Sequence, residues 1–160
     1  MSKKTIILFS GDYDKVMAAF VIANGAAAMD DEVTMFFTFW GLNAIRKPEG
    51  GGALTGKPKS TIQKMFSAMM PRGAERLRMS KMNFAGAGPK MLKMVMKSEN
   101  VMSVSQLIET AQEQNIKFIA CTMSMDVMGI RQEELIDGIE YAGVATYLAE
   151  ADEGNVNLFI

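Results

Sequence analysis

The residue best suited to covalent chemistry is Cys121, the only cysteine in the chain. It follows an apolar run that begins at Ile116, and Ser124 and Asp126, residue types common at helix starts, come directly behind it. In an α/β protein this pattern places the thiol at the carboxyl end of a strand, where open parallel sheets bind ligands. The positive end of a helix dipole would favour the thiolate there. The alternative is a small buried apolar residue, and position alone leaves both interpretations open.

The composition excludes catalytic sites that depend on histidine. The chain has no histidine, which removes Cys–His and Ser–His pairs and most transition-metal sites, so no metal is expected. No motif for a cofactor is found either. A single cysteine cannot form an intramolecular disulfide, which favours a reducing cytoplasm. The longest uncharged apolar segment near the N-terminus, residues 16–29, is too short to span a bilayer, so neither a signal peptide nor stable membrane insertion is expected.

We expect the 160 residues to form a single domain, residues 1–160. Charge is distributed unevenly along it. Residues 41–97 contain 12 Lys and Arg but 2 Asp and Glu, a local net charge of +10 (12 − 2), whereas the remainder carries 5 basic and 16 acidic residues. A basic segment of this kind suits an acidic partner or the acidic part of a neighbouring subunit. Because few aromatic residues accompany these charges, we do not expect nucleic-acid binding.

Short apolar runs that alternate with helical patterns predict an α/β fold. The runs typical of buried strands are residues 5–9, 32–39, 116–120, 139–142 and 156–160. The helical patterns are residues 14–29, 61–69, 89–96, 103–115, 131–136 and 144–151. A further helix start follows Cys121. This alternation predicts a doubly wound, mainly parallel five-stranded sheet with helices on both faces.

The turn after the first predicted strand, residues 10–14, is where a doubly wound domain would bind a phosphate. It contains one glycine, Gly11, and matches none of the glycine-rich nucleotide motifs. Asp12 and Asp14 would also repel a phosphate. The sequence of residues 10–14 therefore indicates an ordinary helix-capping turn and not a nucleotide site.

The middle of the chain, about residues 41–100, is a basic excursion rich in Gly, Pro and Met. Its residues 46–60 form a loop of the length typical of lids and binding loops. Nine of the sixteen methionines lie in residues 65–102. They favour packing in a core or against another subunit over a dedicated binding surface. The helix predicted at residues 14–29 is apolar on nearly every side, so it is expected to pack against both the sheet and a second subunit. We therefore expect a homo-oligomer.

Three parts of the chain resemble the DsrE/DsrF/DsrH-like superfamily, in particular its DsrE-like sulfurtransferases, sometimes labelled "peroxiredoxin family". They are the run Thr-Ile-Ile-Leu-Phe-Ser-Gly-Asp from Thr5, the basic Met-rich middle, and Cys-Thr-Met-Ser-Met-Asp-Val-Met-Gly-Ile from Cys121. The likeness extends over essentially the whole chain. It implies a flavodoxin-like α/β sandwich, an oligomer, and a cysteine that carries sulfur as a persulfide between rhodanese- or TusA-like donors and acceptors. By the motif match, Cys121 takes the role of carrier.

A sulfur carrier needs a nucleophilic thiolate and access for a partner's cysteine, but no general base. The missing histidine is therefore compatible with this chemistry. Backbone N–H groups after Cys121 and the hydroxyls of Thr122 and Ser124 are candidates to stabilise the anion, and Gly11 and Asp12 are further supporting candidates. Candidate cations from the middle segment are Lys57, Lys59 and Lys64.

Some members of this superfamily have a second cysteine, whereas this chain has none, which excludes an intramolecular disulfide step and argues against a peroxidase. The chief alternative to a carrier is a non-catalytic flavodoxin-like module that binds a nucleotide or an acidic partner. A third interpretation is a structural subunit in which Cys121 is inert. Whether the protein is an enzyme, with the activity of a sulfurtransferase, stays open on the sequence.

Overall fold

A computed structural model describes residues 1–50 and 58–160, so part of the predicted 46–60 loop, with Lys57, lies outside the described residues. Five strands form one sheet in the order β4-β3-β2-β1-β5, and all neighbouring pairs are parallel. They are β1 (Lys3–Leu8), β2 (Glu32–Phe37), β3 (Lys117–Cys121), β4 (Ile139–Ala142) and β5 (Val156–Phe159). The predicted α/β sheet is confirmed.

Six α-helices connect or cover the strands in the described part of the chain. They are α1 (Tyr13–Ala27), α2 (Thr61–Met69), α3 (Ala87–Ser98), α4 (Val104–Glu113), α5 (Thr122–Met128) and α6 (Val144–Asp152). Short 3-10 helices lie at Phe39–Ile45, Ala74–Arg76, Phe84–Gly86 and Gln132–Glu134. Helix α4 begins where its sequence predicts, because Ser103 and Gln106 form a reciprocal capping box at its start.

The two faces of the sheet are covered differently. Successive side chains of a strand point to opposite faces, so Ile6, Leu8 and Phe37 face α1 and α4. Phe20 of α1 packs against Phe37 with ring centroids 6.1 Å apart. On the opposite face, Ile7, Phe36 and Ile119 lie side by side in register under α6. Burial on both faces explains why these strands read as continuous apolar runs.

Strand β2 ends at Phe37, two residues before the predicted end at residue 39. Phe39 has a positive φ of 46° and begins a 3-10 helix, which ends the strand. Its ring still packs on Phe9, with centroids 5.8 Å apart, so the apolar pattern continues after the strand has ended. The turn then brings Gly41 so close to β1 that a Cβ there would lie 2.0 Å from the carbonyl oxygen of Leu8.

The basic excursion packs on the rest of the molecule at several points. Helix α2 packs against the end of α5. The two are so close that a Cβ at Gly129, the residue after α5, would lie 2.8 Å from the backbone oxygen of Gln63 in α2. Gln63 Nε2 also donates to the carbonyl of Asp126 at 2.7 Å. Further along, the backbone N–H of Ser80 donates to Asp14 on α1. The excursion thereby reaches both the helix after Cys121 and the first turn of α1.

None of the helices in residues 1–50 and 58–160 combines the length and the hydropathy needed to cross a membrane.

Candidate functional site

Cys121 lies at the carboxyl end of β3 and is also the residue that precedes α5. Ala142 of β4 pairs with it on one side. On the other side is the end of β2, where Phe37 pairs with Ala120 and Thr38 continues the chain. The position in the sheet is therefore the predicted one, at the edge where open α/β sheets bind ligands.

The Cys121 side chain is only 4% exposed. It belongs to a small apolar cluster on the α6 face of the sheet, together with Phe36, Ile119 and Tyr147. The ring of Tyr147 lies 5.1 Å from that of Phe36. No described residue forms a hydrogen bond with Cys121 Sγ. The thiol is therefore covered by α6 and lies in apolar surroundings.

The two predicted hydroxyl groups lie in different surroundings. Thr122 is the first residue of α5 and is exposed. Ser124 is fully buried, and its Oγ lies 2.7 Å from Thr38 Oγ1. Since this bond joins α5 to the end of β2, Ser124 holds the backbone around Cys121 in place.

Gly11 and Asp12 line a different feature, a cleft of about 560 Å³ at the end of β1. A Cβ on Gly11 would lie 2.8 Å from the backbone oxygen of Trp40, so close contact between two loops explains this glycine. Asp12 forms an ion pair with Lys15 at 3.2 Å. Cys121 does not line this cleft, so these two predicted residues are not brought together with the thiol.

Helix α6 is held over Cys121 mainly from its middle and its end. Tyr147 Oη lies 3.0 Å from Thr5 Oγ1, in the middle of β1. Glu150 accepts from Lys117 at 2.9 Å and forms an ion pair with Lys3 at 2.6 Å. The hydrogen bond from Lys117, which has the larger effect, and that from Lys3 lower the pKa of Glu150. Residues of α6 nearer Cys121, such as Val144, are exposed.

A buried group of charges joins the excursion to the segment that follows α5. Glu134 forms ion pairs with Lys59 at 2.6 Å, Arg46 at 3.3 Å and Arg72 at 3.7 Å. It also accepts from the backbone N–H of Arg131 at 2.8 Å. Burial alone would raise the pKa of Glu134, but the Lys59 and Arg131 hydrogen bonds and the charges of Lys59 and Arg46 hold it below its ordinary value.

This arrangement determines what the predicted cations do. Lys59 is paired with Glu134 and its side chain is only 6% exposed, whereas Lys64 is exposed on α2. Sequence reasoning did not single out Tyr147, Thr38 or Glu134. Thr38 could have been found from the parallel register, which aligns the ends of β2, β3 and β4, whereas the position of Tyr147 depends on where α6 packs. Glu134 carries no comparable signal, because its partners are distant in the sequence.

Within the described ranges, no group of three or more His, Cys, Asp and Glu side chains is placed to bind a metal ion.

Comparison with known sequences identifies the family. Residues 1–159 match the model of the DsrE/DsrF/DrsH-like family. The chain is 62% identical over 158 residues to the uncharacterized protein YrkE of Bacillus subtilis (strain 168), covering 99% of this chain and 96% of that protein. It is 34% identical over 164 residues to the sulfur carrier protein DsrE2 of Allochromatium vinosum, covering 99% of this chain and 98% of that protein.

Solved structures agree on the fold. The YchN protein of E. coli matches with a TM-score of 0.58 at 15% identity, over 100% of both chains. A protein of unknown function from Methanobacterium thermoautotrophicum, MTH1491, also matches with a TM-score of 0.58, at 11% identity over 100% of both chains. These likenesses support a flavodoxin-like α/β architecture. The match of the family model over nearly the whole chain means that the protein belongs to the DsrE/DsrF/DsrH-like family.

Proposed function

We propose that this protein is a sulfur carrier that holds sulfane sulfur as a persulfide on Cys121 and passes it between protein thiols. The observation that carries the proposal is the 34% identity, over 99% of this chain, to a sulfur carrier protein. Cys121 is the only thiol in the chain, so no other side chain could hold the sulfur as a persulfide. Its place at the carboxyl end of β3 supports the same assignment.

The transfer consists of two balanced exchanges. The Cys121 thiolate attacks the outer sulfur of a donor persulfide; a sulfur–sulfur bond forms on Cys121 while the donor's bond breaks, and the donor leaves as a thiolate. An acceptor thiolate then attacks the same outer sulfur, and Cys121 leaves as a thiolate. Neither step has a net oxidant or reductant, and neither requires a histidine as general base.

Both exchanges require a partner's sulfur to reach a side chain that is almost fully buried. We infer that α6 moves aside, since Tyr147 is its only buried residue and the half of the helix nearer Cys121 is largely exposed. The exposed Thr122 would then meet the incoming partner. Ser124 would hold the start of α5 through its bond to Thr38. Gly11 and Asp12 would shape the separate cleft at the end of β1 and take no part in the exchange.

The donors and acceptors that we propose are rhodanese- or TusA-like proteins, and the proposed location is the cytoplasm, where thiols stay reduced. Whether the exchange amounts to sulfurtransferase catalysis depends on these partners.

Replacement of Cys121 by serine is expected to abolish sulfur loading, because the only thiol is lost. Wild-type protein incubated with a persulfide donor should gain the mass of a sulfur atom, reversibly on treatment with dithiothreitol, as measured by intact mass spectrometry. Met123→Ala is a matched control, since this exposed neighbour leaves the thiol in place. Absence of an adduct on the wild type, or an equal adduct on Cys121→Ser, would contradict the proposal.

We also propose a homo-oligomer, because α1 leaves apolar side chains on its outer surface. Val21 is 50% exposed and Ile22 is 42% exposed, although both lie in the middle of a helix that packs on the sheet. Light scattering should give a mass above the 17.5 kDa of one chain, and Val21→Glu should reduce it. A wild-type protein that remains monomeric at high concentration would rule this out.

The alternative of a nucleotide-binding module has less support at the turn between β1 and α1. Contact with Trp40 accounts for Gly11, and Asp12 adds a negative charge. A protein that acquires no sulfur but is stabilised by a flavin or a nucleotide would favour this alternative over the carrier.

A further inference from the structure

A second cleft, of about 520 Å³, lies between the segment at Ala74–Arg76 and the start of α3. Four basic side chains and one carboxylate line it, namely Arg76, Arg78, Lys90, Lys93 and Glu75. Cys121 does not line this cleft, and the proposed sulfur exchange does not use it.

The one carboxylate is already engaged. Glu75 forms an ion pair with Lys93 at 3.0 Å and accepts from Ser105 Oγ at 2.9 Å. Burial would raise the pKa of Glu75, but the hydrogen bonds from Lys93 and Ser105 keep it below its ordinary value, so the group stays ionised. Lys93 also lies 4.9 Å from the centroid of the Tyr13 ring. The charges of Glu75 and Lys93 therefore cancel, and neither side chain is free to move away.

The other three cations have no counter-charge among the described residues. Arg76 donates to the carbonyl of Pro48 at 3.4 Å, which leaves its charge uncompensated. The exposed side chains of Arg78 and Lys90 have no ion pair or hydrogen bond within residues 1–50 and 58–160. No Asp or Glu occurs between Glu75 and Glu99 in the sequence. The cleft therefore has an excess of three positive charges on its walls.

The backbone around these cations is held firmly. A Cβ at Gly88 would lie 1.7 Å from the backbone oxygen of Met82, so the loop before α3 folds tightly on itself. The carbonyl of Asn83 accepts from the N–H groups of Gly86 and Gly88. On the other wall, the carbonyl of Arg78 accepts from the N–H of Tyr13 at 2.7 Å. A ligand would thus meet a preformed surface, which lowers the entropic cost of binding.

We propose that this cleft binds a compact polyanion that carries phosphate groups. Its volume lies in the range of small-ligand sites, and a concave surface selects a compact ligand over a long flat one. Arginine side chains match the geometry of phosphate oxygens with paired N–H donors. In the part of the chain that the structure describes, no aromatic side chain lines the cleft, so it provides no platform on which the bases of a nucleic acid could stack.

Pyrophosphate is a suitable probe, and isothermal titration calorimetry measures its binding to the full chain. The wild type should bind pyrophosphate, and Arg78→Glu or Lys90→Glu should each weaken binding by about tenfold or more, because each reverses a charge in the cleft. Lys97→Glu is the matched control: Lys97 is an exposed lysine of the same helix outside the cleft, and its reversal should change affinity by less than about threefold. Circular dichroism checks that all three variants fold.

Several results would overturn the proposal. They are no binding of pyrophosphate at millimolar concentration, equal weakening by Lys97→Glu and Lys90→Glu, and binding of citrate as tight as that of pyrophosphate. Binding of an oligonucleotide or of polyglutamate without binding of pyrophosphate would also overturn it. Cys121→Ser should bind pyrophosphate like the wild type, so this test is independent of the proposed sulfur exchange.

Discussion

Glu134→Gln is expected to lower the free energy of unfolding by about 3–5 kcal/mol, as when one partner of a buried ion pair is removed. Arg46 is fully buried and the side chain of Glu134 is 4% exposed, so neither charge can turn to water. Glutamine keeps the shape of the side chain but leaves Arg46 and Lys59 without a counter-charge. Urea unfolding followed by circular dichroism measures the loss.

Asp137→Asn is the matched control for this variant. Asp137 is a fully exposed carboxylate that lies 3.6 Å from Lys47, and solvent screens that pair, so little change in stability is expected. Because the pKa of Glu134 is held low in the folded state, its contribution is present above the unfolded pKa of about 4.3 and is lost as the pH falls through the folded pKa. Glu134→Gln should therefore lose less stability than the wild type on acidification. A loss below about 1 kcal/mol at neutral pH would contradict the assigned role.

Tyr147→Ala is expected to accelerate alkylation of Cys121 by about tenfold or more. A tenfold change requires the free energy of opening α6 to fall by only about 1.4 kcal/mol. The substitution removes the one buried side chain of α6, together with its contact to Phe36 and its bond to Thr5. The rate is measured with N-ethylmaleimide under native conditions.

Leu148→Ala tests whether any truncation on α6 has the same effect. Leu148 is exposed on the same helix and should leave the rate close to that of the wild type. Glu150→Gln weakens the pairs with Lys3 and Lys117 without removing apolar contacts, so it should give a smaller acceleration than Tyr147→Ala. An unchanged rate in Tyr147→Ala, with the fold retained, would mean that α6 does not control access to the thiol.

The strands were predictable because a parallel sheet buried on both faces needs uninterrupted apolar runs. The residues at which the strands end were less predictable. Residue 39 looks like a continuation of β2 in the sequence, but the positive φ of Phe39 turns the chain, and its ring stays apolar because it packs on Phe9. A positive φ at an apolar residue cannot be recognised from the pattern of apolar residues.

The location of Cys121 in the sheet was also predictable, from the apolar run before it and the helix start after it. Its burial was not, because that depends on which face of β3 the side chain points to and on where α6 packs. The charges around Glu134 could not be recognised either, since Arg46 and Lys59 resemble ordinary residues of a basic surface. Only the folded chain brings them to one carboxylate.

Because the chain has a single thiol, a thiol reagent can place a spectroscopic label at one site of the native sequence. A fluorinated reagent on Cys121 would attach at a single place, so no cysteine-free background has to be built. The label would lie between the ends of β2 and β4, close to Tyr147. Its ¹⁹F chemical shift would distinguish a packed from a displaced α6, and a partner's arrival could be followed without altering any other residue.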